Sequence, residues 1–294
     1  MTSANDGANP HAPAALGLLN LPNELLLHNL SKMTSLNGLS EACRAFRDMR
    51  RKEARTATPL DGPGIAADFA DLKHMGGLTA VRATCRDNIM NTRIKDLNPL
   101  SALSALAHLD LGNCHGIEDF APLSGFSTLT NLKLRYCPTF MDLTPLAGLS
   151  ALTKLDLSGC RRIKDLSPLT GLSAGLKHLD LGDCRNMDDL TPLSELSALT
   201  NLDLGYCQQI EDLSPLSGLS SLRILDLSYC RSFEDLGPLS GLSYLTKLNL
   251  SFCQSISDLT PLSGLSDLAK LNISGCPGIL DLTPLSELSA LITY

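Results

Sequence analysis

Cysteine is the residue type whose spacing first suggests chemistry, because thiols form disulfides, bind metals and act as nucleophiles. Eight of the ten cysteines recur every 23 residues, with one interval of 24. They are Cys114, Cys137, Cys160, Cys184, Cys207, Cys230, Cys253 and Cys276. A zinc site needs a short CxxC-like spacing, and a disulfide framework has no reason to keep one fixed period. The spacing therefore predicts one structural position that is repeated, with buried free thiols that favour the reducing cytosol.

Histidine offers no catalytic constellation in this sequence. Six histidines are scattered along the chain, and none stands beside a Ser or a non-repeat Cys in a recognisable motif. A nucleophile requires a base within hydrogen-bond reach, and neither a Gly-rich phosphate loop nor an HExxH motif is present. We therefore expect a protein without enzymatic activity, cofactor or metal ion.

Charge and hydropathy exclude two further classes of partner. The net charge is −7, so a surface that binds the phosphates of nucleic acid is not expected. No apolar run reaches the roughly 18 to 20 residues that span a bilayer, so no membrane partner is expected either.

The cysteines belong to a longer internal repeat, LTxLDLSxCxxIxDLSPLSGLS. Eight copies begin at Leu106, Leu129, Leu152, Leu176, Leu199, Leu222, Leu245 and Leu268. An imperfect copy begins at Leu78, and a further one begins at Leu291. Apolar and polar residues alternate at the start of each unit, as in Leu202 and Leu204, which predicts a short strand with its leucines facing inward. Because one unit cannot bury its own leucines, the period predicts stacked units that share a continuous core.

The second half of each unit reads Asp-Leu-x-Pro-Leu. Ser or Thr before Pro, as in Ser167–Pro168, predicts an N-cap followed by Pro at the first helical position. The segment is short, so a 3₁₀ turn is expected, and Pro places it outside the sheet. The recurrent Asp is predicted to cap backbone N–H groups at this corner. It occurs, for example, as Asp142, Asp165, Asp212 and Asp258.

Over about 215 residues these units resemble the leucine-rich-repeat family in its short, internalin-like form, whose units also carry I-x-D-L-x-P-L. The Cys position is similar to that of the cysteine-containing subclass. This resemblance implies an α/β solenoid: a horseshoe with short parallel strands on the concave side and 3₁₀ turns on the convex side. It implies binding to another protein and says little about which protein, since members of the family bind unrelated partners.

A column of carboxylates is the first candidate for target binding. It comprises Asp156, Asp180, Asp203 and Asp226, which occupy the same strand position in consecutive units. Asp is a common residue at this repeat position, which favours a structural role. Stacked like charges nevertheless destabilise a sheet, which favours a basic partner or bound cations.

Three aromatic residues on adjacent units form the second candidate. Tyr206, Tyr229 and Phe252 follow their strands at one common position, in a chain with only twelve aromatic residues. Aromatic side chains often anchor protein interfaces, so we expect a patch that binds the target. The alternative is packing at the edge of the core.

The segment before the repeats follows no 23-residue period. We predict a disordered leader at 1–18, a helical segment at 19–56, a linker at 57–64 and the solenoid at 65–294, with an N-terminal cap at 65–77.

The helical segment resembles an F-box. The matching residues are Leu21-Pro22-x-Glu24-Leu25-Leu26, then Leu39, then Cys43-Arg44-x-Phe46-Arg47. The match departs from the family at Asn29 and Ala42, and its middle is about two residues short. The resemblance implies docking on a Skp-type adaptor of a cullin-RING ubiquitin ligase, through Leu21, Pro22, Leu25, Leu26 and Leu30.

An F-box before leucine-rich repeats is an arrangement known from eukaryotes and from bacterial effectors that act in the host cytosol. The chain would then be a substrate-recognition subunit in the cytoplasm. The alternative is a binding or adhesion module without a ubiquitin role, whose N-terminal helices only cap the solenoid.

Overall fold

The computed structural model describes residues 25–27, 80–83, 94–288 and 291–293, and these residues contain one sheet of eleven strands in chain order. The strands are β1 (Leu25–Leu27), β2 (Ala80–Ala83), β3 (His108–Asp110), β4 (Asn131–Lys133), β5 (Lys154–Asp156), β6 (His178–Asp180), β7 (Asn201–Asp203), β8 (Ile224–Asp226), β9 (Lys247–Asn249), β10 (Lys270–Asn272) and β11 (Ile292–Thr293).

The strands from β2 to β11 are all parallel, each paired with the strand of the preceding repeat. The register matches the period of the sequence, so that Asp180 lies opposite Asp156 on one side and Asp203 on the other. Equivalent residues therefore form columns along the sheet. The predicted solenoid of parallel strands is confirmed.

Strand β1 corrects a prediction. The sequence predicts a helix over 19–56, whereas Leu25–Leu27 form a strand that pairs antiparallel with Ala80–Ala83. Three consecutive leucines fit a strand as well as a helix, and the first parallel strand of a sheet has an open edge to which a strand can add. The other residues of 19–56 lie outside the described residues, as do the predicted leader at 1–18, linker at 57–64 and cap at 65–77.

Leucines form the core by stacking in register from repeat to repeat. Leu199, Leu202 and Leu204, the three leucines at the start of one unit, are each at most 2% exposed, and the same positions are buried in the neighbouring units. The apolar residue three positions after the cysteine, such as Ile163, Met187 or Phe233, is also buried. Each buried leucine contributes about 1.5 to 3 kcal/mol, so this repeated column is the main source of stability.

The thiols form a hydrogen-bonded ladder inside this core. From Cys137 to Cys276, each Sγ donates to the carbonyl oxygen of a leucine in the preceding repeat, at 2.9–3.4 Å. Burial raises the pKa of Cys137 and of Cys207 to about 12, so these thiols stay protonated and can donate. The sequence predicted size and burial as the reason for cysteine, and the hydrogen bond adds a polar link between repeats.

Short 3₁₀ turns lie on the side of each repeat away from the sheet. In the described residues they span Asn98–Ala102, Ala121–Gly125, Thr144–Leu146, Ser167–Leu172, Thr191–Glu195, Ser214–Leu216, Gly237–Leu239, Thr260–Leu262 and Thr283–Leu285. The predicted turn type is confirmed.

The capping of these turns confirms one prediction and corrects another. The residue before each turn is apolar, as at Leu166, and no side-chain hydrogen bond caps the turn from there. Ser167 is already the first residue of the turn, with Pro second, so the predicted Ser or Thr N-cap is wrong. The cap comes from Asp165, whose Oδ1 accepts from the backbone N–H of Ser167 at 2.8 Å. This is an Asx-type bond from a carboxylate to the backbone N–H two residues later, and it satisfies the N–H of Ser167 itself.

Within the described residues, no helix is long and apolar enough to cross a membrane.

Candidate functional site

The concave face of the sheet is the face opposite the leucine core. Because side chains alternate along a strand, the first and third residues of each strand point to this face, and they form two columns. A cavity of about 430 Å³ lies on it, across strands β4 to β8. Among its lining residues are Lys154, His178, Ile224 and all four members of the carboxylate column.

The carboxylate column consists of Asp156, Asp180, Asp203 and Asp226, on strands β5 to β8. Each Oδ1 accepts a hydrogen bond from the backbone N–H two residues later, at 2.8–3.2 Å. This bond fixes the rotamer of the carboxylate and caps the chain where it leaves the strand. The structural role is therefore real. Asn249 and Asn272 perform it as well, because each Oδ1 accepts the equivalent bond on β9 and β10.

The electrostatics of the column differ from those of an ordinary surface carboxylate. Partial burial, together with the charges of Asp203, Asp156 and Asp226, raises the pKa of Asp180 to about 6. Burial and the neighbouring carboxylates also raise the pKa of Asp203. The second oxygen of Asp226 is engaged, since Oδ2 accepts from Asn249 Nδ2 at 2.8 Å. At Asp180 and Asp203 the charged form is thus disfavoured by desolvation and by repulsion from neighbouring carboxylates.

The aromatic ladder consists of Tyr206, Tyr229 and Phe252, and the structure brings the three rings into contact. The ring centroids of Tyr206 and Tyr229 are 4.3 Å apart with an interplanar angle of 9°. Tyr229 and Phe252 are 4.5 Å apart at 15°. Tyr206 and Phe252 are each 42% exposed, and Tyr229 between them is half-buried.

All three residues of the aromatic ladder have a left-handed backbone, with φ between 60° and 63°. This conformation costs a residue with a bulky side chain about 1 to 2 kcal/mol. The same position in other repeats holds residues that adopt it easily, such as Asn113, Gly159 and Gly275. Gly275 also leaves room for its neighbour, since a Cβ there would lie 2.7 Å from the ring of Phe252.

An ion-pair cluster precedes the aromatic ladder by one repeat. Asp183, at the same left-handed position, accepts hydrogen bonds from Arg161 and Arg185. Burial alone favours the neutral acid, but the two guanidinium groups outweigh it and lower the pKa of Asp183. The sequence analysis missed this cluster. Its signal was the Arg that directly follows the cysteine, as Arg161 in the preceding repeat and as Arg185 in the repeat of Asp183 itself.

The sequence analysis names bound cations as one possible partner of the carboxylate column. Within the part of the chain that the structure describes, no three His, Cys, Asp or Glu side chains are placed to hold a metal ion. Lys133 and Lys154 also line the same cavity, so the concave face mixes both signs of charge.

Family models match the chain in its middle repeats. A model of two leucine-rich repeats matches residues 197–243, and a second, of a single leucine-rich repeat, matches residues 241–259. The matched residues include β7 to β9, whose register and 3₁₀ turns are described above.

The repeats form a leucine-rich-repeat solenoid.

Two solved structures of internalins from Listeria monocytogenes are similar to this leucine-rich-repeat chain. Internalin C2 is 29% identical over 77% of this chain and 83% of that chain, with a TM-score of 0.49. A second internalin is 18% identical over 76% of this chain and 88% of that chain, with a TM-score of 0.35. Comparison with curated proteins finds no match.

Proposed function

We propose that this leucine-rich-repeat solenoid captures a target protein on its concave face, with the aromatic ladder as the anchor. The observation that carries the proposal is the aromatic ladder itself: three stacked rings, the outer two exposed and the central one half-buried, on backbone positions that disfavour them. Backbone strain that is kept at a surface is a recognised mark of a functional site.

The energetics of the aromatic ladder support a binding role over a purely structural one. Stacking contributes about 0.5 to 1.5 kcal/mol for each ring pair, which is similar to the cost of the left-handed backbone at each ring. Asn or Gly satisfies the same backbone without strain, as Asn113 and Gly159 do. Stability therefore gives little reason to place aromatic residues there, whereas partly exposed aromatic rings are preferred anchors in protein interfaces.

A photo-crosslinking experiment tests this proposal. Benzoylphenylalanine at position 229 keeps an aromatic ring in the ladder, and the same residue at position 244 replaces another exposed tyrosine, outside the ladder. In a lysate of cells that express the chain, light should produce a discrete adduct from position 229 and none from position 244. Equal capture from the two positions would contradict the proposal.

Variants of the same column provide the matched control. Tyr229→Asn removes the central ring, and Tyr136→Asn removes an exposed tyrosine with the same left-handed backbone but outside the stack. Tyr229→Asn should abolish binding of the crosslinked partner in a pull-down, while Tyr136→Asn should leave it unchanged.

A second candidate function rests on the F-box-like residues. In this proposal the chain is the substrate-recognition subunit of a cullin-RING ubiquitin ligase in the cytoplasm, or an effector that imitates one, and it docks on a Skp-type adaptor through Leu21, Pro22, Leu25, Leu26 and Leu30. The motif supports it, and the strand at Leu25–Leu27 argues against a helical F-box at those residues.

Gel filtration with a purified Skp-type adaptor tests the second candidate. Co-elution that is lost with Leu21→Ala and Pro22→Ala supports the ubiquitin role. Separate elution of the two proteins leaves a binding or adhesion solenoid without that role.

A further inference from the structure

The partner surface that meets the aromatic ladder has a chemistry that the neighbouring residues define. We propose that the aromatic ladder binds an arginine- or lysine-bearing segment of the target protein, whose cations reach the carboxylates of Asp180 and Asp203. This inference rests on the proposed function and names the kind of partner segment that the site takes.

The aromatic ladder offers ring edges rather than ring faces to a partner. The interplanar angles of 9° and 15° mean that the facing sides of Tyr206, Tyr229 and Phe252 cover one another. At the far end, the ring of Phe252 lies against Gly275. The stacked faces are therefore not available to enclose a cation as an aromatic cage does. The ring edges together form an apolar wall. The aliphatic stems of Lys and Arg pack against such a wall while their charged ends extend beyond it.

Two members of this wall follow carboxylates of the column closely along the chain. Tyr206 and Tyr229 come three residues after Asp203 and Asp226 in their own repeats. The backbone bonds to Oδ1 hold Asp180 and Asp203 in one rotamer. Within the described residues, the Oδ2 atoms of these two carboxylates accept no hydrogen bond, whereas Oδ2 of Asp226 is engaged by Asn249. Two adjacent rungs therefore present a fixed acceptor atom to a partner.

Within the part of the chain that the structure describes, no Lys or Arg forms an ion pair with these two groups. The ion pairs of the described residues engage Asp110 and Asp183, and none involves Asp180 or Asp203. Burial and repulsion raise the pKa of Asp180, so a nearby positive charge would relieve an existing cost.

Charge complementarity therefore selects the partner segment. An acidic segment or a nucleic acid would meet the carboxylates with like charge, and a neutral one would leave their desolvation uncompensated. Lys133 and Lys247 lie on β4 and β9, the two strands that flank the carboxylate column. The basic residues of the partner should consequently be confined to a short central stretch.

Selection from a random twelve-residue peptide library on the immobilised full chain tests the inference. Enriched peptides should contain Arg or Lys together with an apolar residue. One enriched peptide is then synthesised with a fluorescent label, and its affinity is measured by fluorescence anisotropy against wild type and variants.

Asp180→Asn with Asp203→Asn is the test variant, because Asn249 and Asn272 show that Asn makes the same backbone bond in this column. We expect the affinity to fall by at least about tenfold, as for a lost interfacial charge pair. Glu211→Gln with Glu234→Gln changes the net charge equally at exposed residues outside the concave face, and it should change the affinity less than about twofold, because distant exposed charges are screened.

The outcomes separate this inference from the proposed function. Enrichment of neutral or acidic peptides, or equal effects of the two double variants, overturns the basic-segment inference. In either case, if the enriched peptide still loses affinity with Tyr229→Asn and not with Tyr136→Asn, the aromatic ladder remains the binding site and only the charge assignment fails. If neither aromatic variant matters, both proposals fail.

Discussion

Two columns of aspartate run along this solenoid, and they use the same hydrogen bond in opposite electrostatic settings. On the convex side, Asp165 and Asp212 cap the backbone N–H two residues later at 2.8 Å. On the concave face, Asp203 does the same at 2.8 Å. The neighbouring Ser, through its hydroxyl and its backbone N–H, lowers the pKa of Asp165 and of Asp212, whereas burial and adjacent carboxylates raise that of Asp203.

The difference shows that the capping bond alone does not explain why a position holds Asp rather than Asn. On the exposed convex side the charge strengthens the cap without an opposing cost. On the concave face the charge is disfavoured, and Asn249 shows that a neutral side chain is sufficient for the cap. Retention of charge at Asp180 and Asp203 therefore calls for a role beyond the fold.

Removal of two convex caps should produce the largest effect on stability. Asp165→Ala with Asp212→Ala leaves two backbone N–H groups without their acceptor, so we expect the thermal midpoint to fall by several degrees. The matched variant Asp165→Asn with Asp212→Asn keeps both acceptor oxygens and should retain most of the midpoint. Circular dichroism measures both, and equal loss in the two variants would show that the charge, not the acceptor, is what matters.

Neutralisation of the concave column should have a smaller effect of opposite sign. Asp180→Asn keeps the bond to Gly182 and removes a disfavoured charge, so at pH 7.5 the free energy of unfolding should rise. The shift of the pKa from 3.8 to about 6 corresponds, after a discount for solvent screening, to on the order of 1 kcal/mol. Chemical denaturation provides the measurement. Destabilisation by Asp180→Asn would remove the contrast between the two columns.

The two columns should change the thermal midpoint with pH in opposite directions. The folded pKa of Asp180 lies above the unfolded value of 3.8, so its contribution to stability is fully present below that value and is lost as pH rises through about 6. The folded pKa of Asp165 lies below 3.8, so its contribution is present above that value and is lost as pH falls further.

The midpoint should therefore pass through a maximum at mildly acidic pH. Asp180→Asn should flatten the slope between pH 4 and pH 7 by a small amount and leave the acid limb unchanged. A profile of Asp180→Asn that is parallel to wild type across this range would contradict the assignment.

Much of this architecture was predictable because a fixed period determines which residues become neighbours. The leucine core, the strand positions, the turn type and the alignment of Tyr206, Tyr229 and Phe252 all follow from the 23-residue spacing. The strained backbone of these three residues was not predicted, since tyrosine and phenylalanine rarely adopt it. The glycines at 159 and 275, which share the column, were the available signal.

The remaining misses concern local competition between groups. Ser167 was predicted as an N-cap, but it is the first residue of the turn, and the carboxylate of Asp165 accepts from its backbone N–H. Leu25–Leu27 were predicted as helix, but pairing with β2 satisfies the edge of the sheet. The cluster around Asp183 depends on the rotamers of Arg161 and Arg185, which a sequence pattern does not specify.

The thiol ladder has a consequence for how this protein changes length over evolutionary time. Each thiol from Cys137 to Cys276 bonds to a carbonyl in the unit immediately before it, and the strand registers also join adjacent units. A duplicated 23-residue unit inserted between two others would find an identical acceptor behind it and supply one to the unit ahead. The chain can therefore gain or lose rungs in whole copies without a redesigned interior, and new combinations of surface residues can arise by copying alone.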